Sequence, residues 1–365
     1  MKIRFLSDTR VIMSNPKSRH CYFGWPSVAR LKDGRIAVVA SGYRLAHVCP
    51  FGKTVISYST DEGESYTRPA PVIDTALDDR DGGILAFGES SVLVTSFNNT
   101  VEFQRTQKSA TPYMLAYLDT VTPEEEARDL GAGFAVSRDG GVTFGDVHKS
   151  PITSPHGPIE LQNGRLLWVG RTFSANDEQR DDDKIKAYDI DPDSLEMTYL
   201  GEIENLIVDG ELPLSCEPYA VELDGGRIIA HIRVQLYSSK SAEGPIYTVY
   251  QSESDDGGRS WTKPHAILPR CGGAPSHILK HSSGILVATY GHRKPPYGVQ
   301  AMFSRDGGES WDSGYELFEG VNGDLGYPST VELADGDMLT VFYAHESADG
   351  PAVIMQRKWR FDDEI

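Results

Sequence analysis

Short apolar runs alternate with turn residues along almost the whole chain. Runs of strand length are separated by Gly, Asp, Asn and Pro, which is typical of β-strands joined by tight turns. Long helical periodicity is nearly absent. The acidic segment TPEEEARDLGAG (122–133) is the exception, and we expect a loop insertion with a short helix there. The pattern therefore predicts an all-β protein.

One strand–turn–strand unit recurs along the chain. The copies lie at 25–40 (WPSVARLKDGRIAVVA), 156–170, 217–232, 274–290 and 327–343, with a divergent copy at 81–97. A hairpin of this kind cannot bury its own apolar face, so the copies must pack on one another. Their spacing suits four-stranded propeller blades. A β-sandwich is the alternative, but it gives no reason for six copies of one hairpin.

A second motif, Ser-x-Asp-x-Gly-x-x-aromatic, follows four of the six hairpins. Its copies are STDEGESY (59–66), SRDGGVTF (137–144), SDDGGRSW (254–261) and SRDGGESW (304–311). We interpret it as a structural turn. The Ser and Asp side chains can accept local backbone N–H groups, Gly permits a positive φ, and the aromatic ring packs beneath.

The two ends of the chain are expected to meet in the last blade. The strand AVIMQRKWRF (352–361) should pair with a strand within 2–13 and close the ring. We therefore predict a six-bladed β-propeller of four-stranded antiparallel blades, with residues 1–365 forming a single domain.

Polar residues stand where the first strand of each predicted blade begins. In a propeller these strands line the central channel, so their starts gather around one funnel. Asp, His, Glu and Tyr are costly to place in a partly desolvated funnel, and their presence predicts a site. The residues at these starts are Trp25, Asp81, His156, Glu217, Ala274 and Tyr327. Arg44, His47, Arg233 and Arg293 end strands or lie in loops expected at the same rim.

Charge and composition exclude some partners. The net charge of −18 argues against nucleic acid, which requires clustered Lys and Arg. No apolar stretch is long enough to cross a membrane, and the first residues lack a signal-peptide core. Four scattered cysteines favour free thiols and a cytoplasmic location. No motif has metal-ligand spacing, so we expect neither metal nor cofactor. Nothing in the sequence indicates the oligomeric state.

With these motifs assembled, the chain resembles the sialidase (neuraminidase) superfamily, the propellers marked by Asp-box or BNR-repeat turns. The fourth blade is the most specific part: Glu217 at the strand start, a Gly turn at 224–226, and Arg233 sixteen positions after Glu217. Arg293 precedes the last Asp box, and the last blade opens with Tyr327 in GYPSTVELADGDM. The resemblance covers nearly the whole chain.

This resemblance implies a glycosidase that acts on a sugar carrying a carboxylate. A neutral tyrosine nucleophile avoids the repulsion that a carboxylate nucleophile would meet, and sialidases are the tyrosine exception among glycosidases. Tyr327 would be that nucleophile, with Glu217 as its base. Arg233 and Arg293 would hold the substrate carboxylate.

Two family positions are occupied differently. The family opens its first blade with Phe-Arg-Ile-Pro, whereas this chain has Phe23-Gly24-Trp25-Pro26, so Gly24 replaces a carboxylate-binding Arg. Trp25 at this position suggests a pocket that stacks on a sugar face or tolerates a different acid group, and Arg44 is a candidate to replace the missing Arg.

The second departure concerns the acid/base residue. The family carries an Asp on the loop before the first Asp box, but SGYRLAHVCPFGKT (41–54) has none. His47 is the nearest titratable candidate. Asp79 and Asp81 are alternatives, and His156 is a further candidate contact for the substrate.

Three functions stay open at this point. The first is a sialidase-like hydrolase of a terminal sialic acid or related uronic acid. The second is a lyase, in which Tyr or His removes the proton next to a uronate carboxylate and Arg neutralises that carboxylate. The third is a carbohydrate-binding propeller without catalysis. Fold alone does not choose among these three functions. In each case the expected partner is an acidic oligosaccharide or glycoconjugate.

Overall fold

Six antiparallel sheets surround a central axis in the computed structural model, which describes residues 1–176 and 184–362. In blades 1, 2, 4 and 5, consecutive strands pair from the inside outwards. Blade 1 contains β3 (Tyr22–Arg30), β4 (Ile36–Arg44), β5 (Lys53–Ser59) and β6 (Ala70–Ile73), which follow β1 (Lys2–Phe5) and β2 (Arg10–Met13) along the chain. Blade 2 contains β7 (Ile84–Phe87), β8 (Ser91–Phe97), β9 (Ala132–Ser137) and β10 (His148–Ser150). The predicted six-bladed propeller is confirmed.

Blades 3 to 5 repeat the same plan with one irregularity. In blade 3, two short strands, β11 (Ile152–Thr153) and β12 (Ile159–Glu160), both pair with β13 (Leu166–Thr172), which is followed by β14 (Ile185–Ile190) and β15 (Met197–Ile203). Blade 4 contains β16 (Leu214–Glu222), β17 (Ile228–Leu236), β18 (Ile246–Ser254) and β19 (His265–Ala266). Blade 5 contains β20 (Ser276–Lys280), β21 (Leu286–His292), β22 (Gly298–Ser304) and β23 (Asp312–Glu319).

Blade 6 closes the ring with both ends of the chain. It contains β24 (Gly326–Glu332), β25 (Met338–His345) and β26 (Ala352–Asp362). The outer partners of β26 are the N-terminal strands: Lys2 in β1 lies opposite Asp362, and Arg10 in β2 lies opposite Gln356. The predicted pairing of the C-terminal strand with residues 2–13 is confirmed, and it covers the outer edge of β26.

The predicted structural turns form as expected. In the first copy, Asp61 Oδ1 accepts the Ser65 N–H at 2.8 Å, and Ser59 Oγ accepts the Gly63 N–H at 2.8 Å. In the other three copies the Gly N–H likewise donates to the Ser hydroxyl, at 2.8–2.9 Å. In the described part of the chain, a hydrophobic cluster lies between each pair of adjacent blades, so each hairpin buries its apolar face on its neighbours.

The insertion in blade 2 is more helical than expected. The predicted short helix in 122–133 is α3 (Pro123–Asp129), capped by Thr122. Two further helices, α1 (Val101–Arg105) and α2 (Pro112–Leu118), precede it. All three lie between β8 and β9.

Candidate active site

Four of the six residues predicted at the starts of the inner strands share an unusual backbone conformation. Trp25, Asp81, Glu217 and Tyr327 have φ values of 50°, 52°, 49° and 47°. The left-handed region is strained for such side chains, at about 1–3 kcal/mol each. The register of the strand pairing shifts at three of these positions, as at a β-bulge. A bulge re-aims a side chain, which explains why residues remote in sequence converge.

Tyr327, Glu217 and Arg233 form a closed triangle of hydrogen bonds. Tyr327 Oη donates to Glu217 Oε1 at 2.5 Å. Arg233 Nη1 donates to Glu217 Oε2 at 2.6 Å and to Tyr327 Oη at 3.0 Å. Gln235 Oε1 accepts from Arg233 Nε at 3.0 Å and fixes the guanidinium from behind. The structure thus brings together a phenol, a carboxylate and a cation that the sequence places in blades 4 and 6.

The charge states of this triangle follow from burial and contact. Burial favours the neutral acid of Glu217, but the Arg233 charge and the hydrogen bonds from Arg233 and Tyr327 hold the pKa of Glu217 below its usual value. Burial, with the nearby Glu217 carboxylate, raises the pKa of Tyr327 well above its usual value. The resting state is therefore an ionised Glu217 that accepts a hydrogen bond from a neutral Tyr327.

Arg293 covers the face of Tyr327. Its guanidinium carbon lies 5.3 Å from the centroid of the Tyr327 ring. Nε donates to the Leu325 carbonyl at 2.8 Å, and Nη2 donates to Tyr343 Oη at 3.0 Å. Arg233 and Arg293 therefore place two cations beside one phenol, a geometry able to bind an acid group of a ligand.

A cavity of about 120 Å³ adjoins this triangle. The side chains that line it include Asp81, Ser154, Arg171, Phe173, Glu217 and Arg233. Asp81 Oδ1 accepts no hydrogen bond from the residues described, and Arg80 Nε lies 3.7 Å away. Burial raises the pKa of Asp81 to about 6, with Arg80 opposing and Glu217 adding to the shift. Asp81 thus shares one cavity with Glu217 and Arg233.

Trp25 is not an open stacking surface, and that expectation is corrected. Only 1% of the residue is exposed. Its indole is covered by the His47 ring, whose centroid lies 4.7 Å away in an edge-to-face arrangement. The guanidinium carbons of Arg80 and Arg44 lie 4.8 and 5.0 Å from the indole centroid. Trp25 therefore supports other side chains and cannot present a face to a sugar.

Arg44 does not replace the Arg that Gly24 displaces. Both Arg44 and Asp78 have side chains that are 0% exposed, and Arg44 Nη1 lies 2.6 Å from Asp78 Oδ1. Arg44 Nη2 donates to Asp78 Oδ2 and to the His47 carbonyl, each at 2.8 Å. The expectation of a substrate contact is corrected because this guanidinium is committed to an internal ion pair.

Two further predicted residues have partners away from the triangle. Asp79 accepts the Thr75 N–H at 2.6 Å and the Asn98 amide at 3.3 Å, and burial raises its pKa to about 7. His156 is buried with Nδ1 3.0 Å from Ser27 Oγ. Burial lowers the pKa of His156 to about 4. Both side chains serve contacts within the protein.

A polar cluster surrounds Asp324, which was not predicted from the sequence. Asp324 Oδ2 accepts from Tyr22 Oη at 3.0 Å and lies 3.0 Å from His345 Nε2. Asp324 Oδ1 accepts from Tyr343 Oη at 2.9 Å and lies 3.5 Å from His47 Nδ1. We call these five residues the Asp324 cluster. It contains His47, which the sequence did predict, and it reaches Arg293 through Tyr343.

One signal in the sequence could have found Tyr343. It lies sixteen positions after Tyr327, as Arg233 lies sixteen positions after Glu217. In the structure the two are equivalent: Cys216 pairs with Arg233, and Gly326 pairs with Tyr343, each just before the inward-turned residue. The sixteen-residue offset that relates Arg233 to Glu217 therefore also identifies Tyr343 from Tyr327.

Within the described ranges, no group of His, Cys, Asp or Glu is arranged to hold a metal ion. All four cysteines are free thiols. None of the helices among the described residues is long and apolar enough to span a bilayer.

Several solved structures share this fold. A protein of unknown function from Dyadobacter fermentans is 20% identical, with a TM-score of 0.76 and 99% coverage of both chains. The NanB sialidase of Streptococcus pneumoniae is 12% identical, with a TM-score of 0.67 over 97% of this chain and 70% of that chain.

A Trypanosoma rangeli sialidase, solved with sialic acid, is 13% identical, with a TM-score of 0.63. The match covers 98% of this chain but 57% of the trypanosomal one, so this chain spans little more than half of that enzyme's length. At these identities the likeness shows the fold.

Sequence comparison gives the family. No curated protein matches the chain. Residues 96–340, about two-thirds of the chain, match the family described as the BNR repeat-like domain. The family match, the six blades and the sialidase neighbours agree with the resemblance read from the Asp boxes. The chain is a sialidase-like propeller that belongs to the BNR repeat-like domain family.

Proposed function

We propose that this protein is a sialidase-like exo-glycoside hydrolase that removes a terminal acidic sugar, with Tyr327 as nucleophile and Glu217 as its base. The observation that carries this proposal is the 2.5 Å hydrogen bond from Tyr327 Oη to Glu217 Oε1, inside a buried site. A nucleophile bonded to an ionised base is the arrangement that covalent catalysis requires.

The nucleophile suits a sugar with a carboxylate on or near the reacting carbon. A neutral phenol approaches such a carbon without charge repulsion, and the raised pKa of Tyr327 keeps it neutral at rest. As the bond to the anomeric carbon forms, the phenolic proton passes to Glu217. Arg233 Nη1 contacts both groups, so it stabilises the charge that moves between them.

The acid group of the substrate would bind Arg233 and Arg293. Both guanidinium groups adjoin Tyr327, and burial strengthens their attraction for an anion. A sialic acid or a related uronic acid fits this pair. The two structural neighbours named as sialidases support an acidic sugar as substrate. The proposed partner is therefore an acidic oligosaccharide or glycoconjugate.

A panel of substrates tests the proposal. The protein is incubated with a 4-methylumbelliferyl sialoside, a 4-methylumbelliferyl glucuronide and uronate-containing oligosaccharides. Release of the fluorophore supports the hydrolase. New absorbance near 235 nm, from an unsaturated uronate, would contradict it and establish a lyase. Binding without any turnover would contradict it in favour of a carbohydrate-binding propeller.

Replacing Glu217 by glutamine should lower kcat by about 10²–10⁴-fold, since the amide cannot take the phenolic proton. The fold should persist because the amide oxygen can still accept from Arg233. Steady-state kinetics and a thermal denaturation curve measure the two effects. Glu222→Gln is the matched control: it lies on the same strand, but its carboxylate accepts from the Gln162 N–H. Equal kinetics for the two variants would show that Glu217 is not the base.

A further inference from the structure

The Asp324 cluster holds His47 at the rim of the site. His47 Nδ1 lies 3.5 Å from Asp324 Oδ1 and 3.3 Å from Tyr22 Oη. The imidazole also packs edge-to-face on Trp25, with centroids 4.7 Å apart. A histidine held through one ring nitrogen by a carboxylate presents its other nitrogen in a fixed direction. Here that other nitrogen is Nε2.

The same cluster is joined to the nucleophile. Tyr343 Oη donates to Asp324 Oδ1 at 2.9 Å and accepts from Arg293 Nη2 at 3.0 Å. Arg293 in turn covers the Tyr327 ring. The Tyr343 and Tyr327 ring centroids are 6.1 Å apart. His47 and Tyr327 are thus two ends of one connected polar network.

Exposure separates His47 from the other candidate acid, Asp81. In an exo-acting hydrolase the sugar enters the pocket and the leaving group points to solvent, so the proton donor must stand at the mouth. The His47 side chain is 48% exposed. The Asp81 side chain is 8% exposed and lines the inner cavity. Asp81 would therefore contact the bound sugar, whereas His47 would contact the leaving group.

We propose that His47, oriented by Asp324, is the acid/base residue of the hydrolysis proposed above, on which this inference rests. In the first step Tyr327 Oη attacks the anomeric carbon and gives its proton to Glu217. The glycosidic C–O bond breaks, and the His47 imidazolium protonates the departing oxygen. In the second step neutral His47 takes a proton from water, and the hydroxide attacks the anomeric carbon. Tyr327 leaves and recovers its proton from Glu217. The sum is one water consumed and one glycosidic bond cleaved.

The groups facing His47 set the pH dependence. They are Asp324, Tyr22 and the cations Arg44 and Arg80. Partial desolvation of this half-exposed imidazole, together with the two cations, lowers the pKa of His47 from its usual value, and Asp324 opposes them. Since the imidazolium is the donor, the rate on substrates that need protonation should fall as pH rises through that pKa. It should also fall at low pH, where Glu217 becomes protonated.

Leaving-group dependence tests this role. Two substrates are compared. The leaving group of a 4-nitrophenyl sialoside departs with little help from an acid, whereas that of 3′-sialyllactose must be protonated as it departs. If the protein prefers uronates, a 4-nitrophenyl glucuronide and an oligosaccharide glucuronide replace them. His47→Asn should lower kcat/KM for the oligosaccharide by about 10²–10⁴-fold. The loss for the nitrophenyl glycoside, measured on formation of the covalent intermediate in a pre-steady-state burst, should be under about tenfold.

Matched variants complete the design. Asp324→Asn should reproduce the pattern in weaker form and move the high-pH limb to lower pH, because His47 loses its stabilising anion. His20→Asn is the control: His20 lies nearby, 3.0 Å from the Tyr43 carbonyl, and outside the cluster. Equal losses on both probes, an unchanged His47→Asn enzyme, or the leaving-group pattern in Asp81→Asn would overturn the assignment. If the wild-type protein cleaves no probe, the hydrolase proposal itself fails.

Discussion

Replacing Tyr327 by phenylalanine is expected to abolish nearly all turnover, by about 10³-fold or more in kcat, while the propeller stays folded. Loss of a covalent nucleophile is among the largest single-residue effects on an enzyme. Phenylalanine keeps the ring beneath Arg293, and Arg233 still pairs with Glu217, so no charge is left alone in the site. Active-site kinetics, circular dichroism and thermal denaturation measure the outcome.

The control for this variant is Tyr290→Phe. Tyr290 is equally buried, and its hydroxyl donates to Gln300 Oε1 at 3.0 Å in blade 5. The same hydroxyl accepts the Gly314 N–H at 3.2 Å, so the variant should lose stability on the scale of two hydrogen bonds, about 1 kcal/mol each, with normal kinetics. A Tyr327→Phe protein that turns over substrate at the wild-type rate would show that the triangle is not the catalytic centre.

Removing the carboxylate of Asp78 is expected to give the largest loss of stability. Asp78→Ala leaves the fully buried Arg44 without its partner, and an uncompensated buried charge costs about 3–5 kcal/mol. The Cys49 N–H, which donates to Asp78 Oδ2 at 2.9 Å, loses its acceptor as well. Because Arg44 also holds the His47 carbonyl, the loop that carries His47 should loosen. Urea denaturation measures the free energy of unfolding.

Two comparisons decide whether this cost comes from the unpaired charge. Asp74→Ala removes a surface partner of Lys53 and should cost no more than about 1 kcal/mol. The double variant Arg44→Met/Asp78→Ala should recover part of the loss, because no buried charge remains. If Asp78→Ala is no less stable than Asp74→Ala, the buried pair does not stabilise the protein as described.

The fold could be predicted from the repeats because each hairpin must bury its apolar face against a neighbouring hairpin. Six hairpins with one apolar face need neighbours, and the last strand needed the N-terminal segment to complete its sheet; β26 pairs with β1 and β2 accordingly. The helices α1 and α2 were not predicted. At five and seven residues they are too short to show a helical period, and they lack the acidic run that marks α3.

Site residues could be predicted where they occupy the same position in several blades. They could not be predicted where their contacts come from residues on other loops. Glu217 and Tyr327 occupy the same bulged start of an inner strand, and Asp81, just before β7, shares their positive φ. Arg44 and Trp25 were assigned to the substrate, yet the structure commits both to contacts inside the protein. Nothing local in the sequence reveals that Asp78 is the partner of Arg44.

Asp324 shows the same limit. It lies on the loop before β24, three positions from Tyr327, and no motif marks it. Its role depends on donors from blades 1 and 6 that meet only after the ring closes. Gly24 borders this cluster: a Cβ there would be in ordinary van der Waals contact, 3.4 Å from Tyr22 Cε1 and 3.7 Å from Tyr343 Cδ2.

Covalent trapping tests the central claim most directly. The wild-type protein is incubated with the fluorinated analogue of the sugar class that it cleaves, such as 2,3-difluorosialic acid, because the fluorine slows release of the sugar–enzyme bond. Peptide mass spectrometry then locates the label. If Tyr327 is the nucleophile, we expect one sugar per chain, attached to Tyr327, and no covalent sugar in the Tyr327→Phe variant. Attachment to another residue, or efficient turnover with no covalent species under the same conditions, would contradict it.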